Sequence, residues 1–245
     1  MLEDQSCFRD WYERMTPGRR AKIDAFRFRE DKQRSLAAGI ALSEGLKRAG
    51  VRQGMREPAA GQDGKPYLPG TGVYYNLSHS GNYAVCAVSD REVGVDIEQP
   101  RHFSDSLRKY ICAPGEELPV QITEETDLFF TRIWTIKESI MKYYGTGLAL
   151  HPSQICILPG DPVKARLQTD ETNETDDACS YCAEKCRESA DRCPRGIVRP
   201  SELFFSEYRL EDCFVTVCSP CRDFTEAVEI LSGEEKTGLQ SGRCR

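Results

Sequence analysis

The apolar positions of the chain follow two periods, and each announces a different element. Over 31–50, Leu36, Ile40 and Leu46 recur with Ala37 and Ala41 at helical spacing, and Gly50 stands where the helix would stop. Over 126–145 a second stripe, Phe129, Ile133, Ile136, Ile140 and Tyr143, has the same spacing, with Thr126 or Asp127 placed to cap it and Gly145 to close it. Between them the period drops to two. "VYYNLSHSGNYAVCAVSD" predicts two short strands joined at Ser80–Gly81–Asn82. "REVGVDIE" predicts a third, in which Val93, Val95 and Ile97 alternate with Gly94, Asp96 and Glu98 until Pro100 ends it. "GQDGKPYLPGTG" reads as loop. After Pro152, "QICIL", "LFFSEYRL" and "CFVTVCS" predict further short strands.

The order of these elements suggests two halves of like construction, because a helix followed by "YAVCAVS" resembles a helix followed by "CFVTVCS". The expected division is 1–100 and 101–245. A polar, acid-rich and Cys-rich stretch at about 168–196 has almost no large apolar residue except Tyr181, which suits an excursion from the core.

Composition changes this picture little. With 245 residues, 39% hydrophobic and 29% charged, the chain is of ordinary globular make-up. A net charge of -6 argues against a nucleic-acid partner. Basic residues nevertheless gather early: Arg14, Arg19, Arg20, Lys22, Arg27, Arg29, Lys32 and Arg34 share their stretch only with Asp24, Glu30 and Asp31. That cluster reads either as a solvated helix face or as a site for an anion. The start of the chain has no secretory apolar core, and no run approaches the roughly 18 apolar residues of a membrane span. A cytoplasmic monomer with no membrane partner is expected, its twelve cysteines mostly reduced thiols.

Candidate chemistry starts at "VGVDIE". In a strand, Asp96 and Glu98 share one face, about 6–7 Å apart along the chain. Carboxylates that close repel unless a cation lies between them, and such oxygens suit Mg²⁺. Taken alone, the pair also reads as the solvated face of a half-exposed strand. In "WTIKESIMK", Glu138 and Lys142 stack on one helix face, which alone is an ordinary surface ion pair, and Trp134 reads as core packing. In "NLSHSG", Ser78 and His79 point to opposite sides of a strand, so they do not form a nucleophile–base pair, and His79 reads as a phosphate donor. "GKPYLP" presents Lys65 from a stiffened loop. Cys179, Cys182, Cys186 and Cys193 are spaced C-x2-C-x3-C-x6-C, read either as free thiols or as ligands of Zn²⁺. Cys86 and Cys218 read as strand core and Cys221 as a free thiol.

Together "GKPYLP", "YYNLSHSGNYAVCAV", "VGVDIE" and "WTIKESIMKYYGTGL" form an ordered series that resembles the 4′-phosphopantetheinyl transferases of the Sfp type. The resemblance runs from "TPGRRAKIDAFRFREDKQRS" to "CFVTVCSPCRDF" and is weakest at 168–196. It implies an α+β fold of two similar halves about a pseudo-twofold, with the ligand in the cleft between them. It implies transfer of the phosphopantetheine arm of coenzyme A to a serine of an acyl or peptidyl carrier protein, with release of adenosine 3′,5′-bisphosphate. By position, Asp96, Glu98 and Glu138 match the acids that hold Mg²⁺, Glu138 also matches the candidate general base, and Lys142 matches a lysine on phosphate. Lys65, Ser78 and His79 match coenzyme A contacts, as do Arg19, Lys22 and Ser35, with Arg19 standing where the best-known member of the family has lysine. "GTGL" falls where the carrier-protein surface begins. The family pattern calls for no Zn²⁺ site. Two other readings stay open at this point: a coenzyme A-binding or metal-sensing regulatory protein on the same scaffold, and a Mg²⁺-dependent hydrolase of a nucleotide pyrophosphate.

Overall fold

The computed structural model of the chain describes residues 2, 4–52, 54, 56–61, 64–114, 116, 124–158, 160–167 and 202–231. The architecture is α+β. Two short helices, α1 (Gln5–Glu13) and α2 (Pro17–Asp24), lead into the long α3 (Arg29–Arg48). Thr16 caps α2, its Oγ1 accepting from Arg19 N–H, with Pro17 at the first helical position. Two-residue strands β1 (Ala59–Ala60) and β2 (Pro66–Tyr67) precede the hairpin β3 (Tyr74–Ser80) and β4 (Tyr83–Ser89). Then come β5 (Gly94–Glu98), α4 (Asp105–Ile111) and α5 (Glu124–Tyr144). The hairpin β6 (Ile155–Leu158) and β7 (Lys164–Leu167) follows, and the described part closes on the hairpin β8 (Phe204–Leu210) and β9 (Cys213–Ser219). β5, β9 and β8 form one antiparallel sheet in that order. β5 precedes residue 100, yet its backbone partner lies far beyond it.

The two long helices end alike. Gly50 has φ +73°, Val51 N–H reaches Leu46 O and Gly50 N–H reaches Lys47 O. Gly145 also has φ +73°, Thr146 N–H reaches Met141 O and Gly145 N–H reaches Lys142 O. Both are Schellman caps. The helices differ from expectation at their starts. α3 begins at Arg29 and α5 at Glu124, so Asp127 lies inside α5 rather than at its cap. Its carboxylate instead accepts from Phe103 N–H and from Arg108, tying α5 to the segment before α4. β7 was not marked by any apolar alternation, since "KARL" buries only Ala165.

α3 packs on β3–β4, and α5 packs on β5 and β9. Gly94 makes the second contact possible. A Cβ there would stand 2.0 Å from Ser139 O and 2.7 Å from Tyr143 N, so only glycine lets β5 lie this close to α5. Lys137, fully buried on α5, donates to Glu116 and to Ile111 O, and Glu116 in turn accepts from Ala113 and Ile157 N–H. This buried, hydrogen-bonded ion pair fastens the segment after α4 to α5 and β6. Cys179, Cys182, Cys186 and Cys193, read either as free thiols or as ligands of Zn²⁺, lie outside the described residues. Among the described residues no helix is long and apolar enough to cross a membrane.

Candidate active site

β3, β5 and α5 meet along one line. β3 takes its backbone partners from β4, and β5 takes its own from β9. Between β3 and β5, side chains bridge instead. Asn76 Oδ1 accepts from Val95 N–H at 3.0 Å, Ser78 Oγ donates to Asp96 Oδ1 at 2.7 Å, and Ser80 Oγ donates to Glu98 Oε2 at 3.0 Å. Asn76, Ser78 and Ser80 alternate along β3 and therefore share a face. They match the rising numbers of β5, so the two strands run the same way.

α5 supplies the third wall. Trp134, Glu138 and Lys142 are spaced four apart and lie on one helix face. Trp134 Nε1 donates to Glu98 Oε1 at 3.2 Å. Lys142 Nζ donates to Asp96 Oδ1 at 2.5 Å and to Ser78 Oγ at 2.8 Å. Glu138 lies between these two contacts and is half-buried.

Burial sets the electrostatics. Asp96 is 2% exposed, so it is not on a wet strand face. Desolvation pushes its pKa up to about 7, with the Lys142 charge opposing and Glu98 adding to the rise. Its other oxygen, Oδ2, is buried without a hydrogen-bond partner. Burial likewise raises the Glu138 pKa, again opposed by Lys142 and reinforced by Glu98, with Arg101 also opposing. Each acid therefore senses Glu98 and Lys142. Among the described residues no three His, Cys, Asp or Glu side chains converge tightly enough to form a ready metal cage. Lys142 serves as the counter-cation of Asp96.

The remaining expected residues divide. His79 is exposed, opposite in direction to buried Ser78. Desolvation of its ring and the charges of Arg34 and Lys142 hold its pKa below the usual imidazole value. Arg19 is half-buried beside Tyr75 and Glu57, with burial lowering its pKa, and Lys22 is exposed close enough to feel the Arg19 charge. Ser35 is 3% exposed, and its Oγ has no hydrogen-bond partner. Lys65 is not brought to the acids: it donates to Glu92, to Val93 O at 3.1 Å and to Tyr143 O at 2.8 Å.

Sequence reasoning missed Asn76, Ser80 and Arg101, and took Trp134 for packing alone. The signal for the first two was present in "YYNLSHS", where three small polar residues alternate along one face of an otherwise apolar strand. Trp134 stands one turn before Glu138, which could have marked it.

With this geometry in view, likeness to known proteins becomes specific. Residues 92–190 match the family model of the 4′-phosphopantetheinyl transferase superfamily. A 4′-phosphopantetheinyl transferase of Bacillus subtilis is 29% identical over 229 residues, covering 89% of this chain and 87% of the relative. The 4′-phosphopantetheinyl transferase Sfp of Bacillus subtilis (strain 168) is 28% identical over 234 residues, covering 90% and 89%. The 4′-phosphopantetheinyl transferase HetI of Nostoc sp. (strain PCC 7120 / SAG 25.82 / UTEX 2576) is 38% identical over 160 residues, covering 61% of this chain and 67% of the relative. The chain belongs to the 4′-phosphopantetheinyl transferase superfamily.

Proposed function

We propose that this chain is a transferase that moves the 4′-phosphopantetheine arm of coenzyme A onto a serine hydroxyl of an apo acyl or peptidyl carrier protein. Curated relatives carrying that name along almost the whole chain support the reaction class. The observation that carries the site is the buried, unpartnered Oδ2 of Asp96, an acid that shares the neighbours Glu98 and Lys142 with Glu138.

In this reading the chain has two similar halves, 1–100 and 101–245, about a pseudo-twofold, and coenzyme A lies in the cleft between them. Arg19, Lys22, Ser35, Ser78 and His79 line its path and the basic side chains attract its phosphates, whereas Lys65, held by Glu92, Val93 O and Tyr143 O, ties the start of β5 to the end of α5 instead. The donor set fits Mg²⁺: Asp96, Glu98 and Glu138 offer hard carboxylate oxygens, and one of them is already desolvated without a partner. Because Mg²⁺ is usually held by one or two carboxylates with phosphate and water, a cage of three protein ligands need not be preformed. The ion would neutralise the pyrophosphate and ease departure of the leaving group.

The serine oxygen forms a bond to the β-phosphorus while the pyrophosphate bridge breaks and adenosine 3′,5′-bisphosphate departs. Glu138, whose pKa is raised, accepts the serine proton directly or through water. Lys142, held by Asp96 and Ser78, adds a positive charge beside the phosphates, and the rest of the work is positioning. Incubation with coenzyme A, Mg²⁺ and apo carriers of fatty-acid, polyketide and peptide type tests this by intact mass. A gain of one phosphopantetheine on at least one carrier is expected. Release of free phosphopantetheine without an acceptor would instead identify a hydrolase.

A further inference from the structure

The acids of the site are held in unlike ways. On Asp96, both observed contacts fall on Oδ1, one from Lys142 and one from Ser78, while Oδ2 is left bare. On Glu98 the contacts are shared: Ser80 Oγ donates to Oε2 at 3.0 Å and Trp134 Nε1 to Oε1 at 3.2 Å. These two donors come from opposite walls, one from the end of β3 and one from α5. Both are neutral, so they orient the carboxylate without cancelling its charge. Each carboxylate oxygen has two lone pairs, so one donor apiece leaves one lone pair on each free.

The donors are themselves held. Ser80 Oγ accepts from Gln99 N–H at 3.1 Å, which fixes the hydroxyl between the strand end and the acid. The Trp134 ring is partly buried against the core made by Ile133, Ile136 and Ile140. Glu98 has three side-chain torsions and closes a strand whose other residues are all buried. Without donors on both oxygens its carboxylate would be free to rotate.

We propose that Ser80 and Trp134 are positioning residues that fix the plane of the Glu98 carboxylate for a divalent cation. The inference rests on the metal role given to Asp96 and Glu98 above. Outer partners of this kind commonly change metal affinity by about 10–100-fold.

The test is Mn²⁺ affinity, read by the electron-spin signal of free Mn²⁺ in the presence of coenzyme A and without a carrier. Native protein is compared with Ser80→Ala, Ser80→Thr, Trp134→Phe and Asp96→Ala, each checked for folding by circular dichroism. Trp134→Phe keeps the ring and removes only the N–H, and Ser80→Thr keeps the hydroxyl. Ser80→Ala and Trp134→Phe are each expected to bind Mn²⁺ about 10-fold or more weakly, with Ser80→Thr near native. If Asp96→Ala weakens binding while Ser80→Ala and Trp134→Phe remain within twofold of native, the positioning role is overturned and the metal site stands. If Asp96→Ala itself binds as native does, the metal reading fails and the positioning role falls with it. Should Ser80→Ala not fold, Trp134→Phe alone decides.

Discussion

The hairpins β3–β4 and β8–β9 are alike in build and unlike in what they do. Each pairs seven residues with seven across a two-residue turn whose first residue has positive φ, +54° at Gly81 and +52° at Glu211. Each lies under a long helix that ends in the same glycine cap. They part company at β5. The second hairpin joins β5 through a five-residue backbone ladder, Gly94 to Glu98 against Cys218 to Phe214. The first meets β5 through Asn76, Ser78 and Ser80. Backbone pairing is indifferent to side-chain identity, so one edge of β5 can be structural. The other edge is left for side chains, and there the acids sit. The candidate site is a seam where a ladder has been replaced by hydroxyls and an amide.

Four changes probe the two edges. The largest effect is expected on the structural side. Gly94→Ala drives a methyl into the α5 backbone, where neither Ser139 O nor Tyr143 N can yield. A loss of about 3 kcal/mol or more in urea unfolding is expected, at the upper end for overpacking. A loss below 1 kcal/mol would show that β5 and α5 are not in such close contact.

On the seam side, stability should depend on pH. Asp96 is held at about 7 in the folded chain, against 3.8 for the ordinary side chain. Between those values the folded state keeps a proton that the unfolded state has released. The metal-free protein therefore loses stability from this group as pH rises from about 4 to about 7, by roughly 1 kcal/mol per unit at most. Unfolding of Asp96→Asn across the same range should be flatter. Equal slopes in both proteins would contradict a desolvated Asp96.

Asn76→Ala leaves the buried Val95 N–H without its acceptor, and a loss of about 1–3 kcal/mol is expected by chemical denaturation. The β5–β9 ladder has no such single point of failure. The smallest effect separates the two turns. Glu211 adopts a left-handed conformation that Gly81 adopts freely, but its carboxylate also accepts from the Tyr83 hydroxyl, so in Glu211→Gly relief of strain and loss of that bond oppose, and a net change within about 1 kcal/mol is expected. A loss well beyond that would mean that the bond from Tyr83 outweighs the strain at this turn.

Much of this was legible in the chain because it depends on local period. The hairpin turn at Gly81, the helix ends at Gly50 and Gly145, and the alternation of "GVDIE" are all set by neighbours in sequence. The shared faces of Asp96 with Glu98 and of Glu138 with Lys142 were legible in the same way, but their candidacy as a site came from the resemblance to the transferase family and not from period. The pairing of β5 with β9 was not legible. It joins residues more than a hundred positions apart, and nothing in the period of either strand names its partner. The start of α5 was misplaced because Asp127 is a good capping residue, and its carboxylate was claimed by Phe103 and Arg108 instead. Lys65 looked free in its loop, but the carbonyls of Val93 and Tyr143 that hold it come from elsewhere in the fold. Trp134 was read by its size, and its N–H proved to be the part that reaches the site.

In the proposed reaction the seam acids Asp96, Glu98 and Glu138, rather than some other part of the chain, carry the transfer. The measurement that tests it most directly is the intact mass of an apo carrier protein after incubation with coenzyme A and Mg²⁺, using native protein and Asp96→Ala side by side. A gain of one phosphopantetheine is expected with the native protein, and none at the same time with a folded Asp96→Ala. Equal modification by both proteins would contradict it.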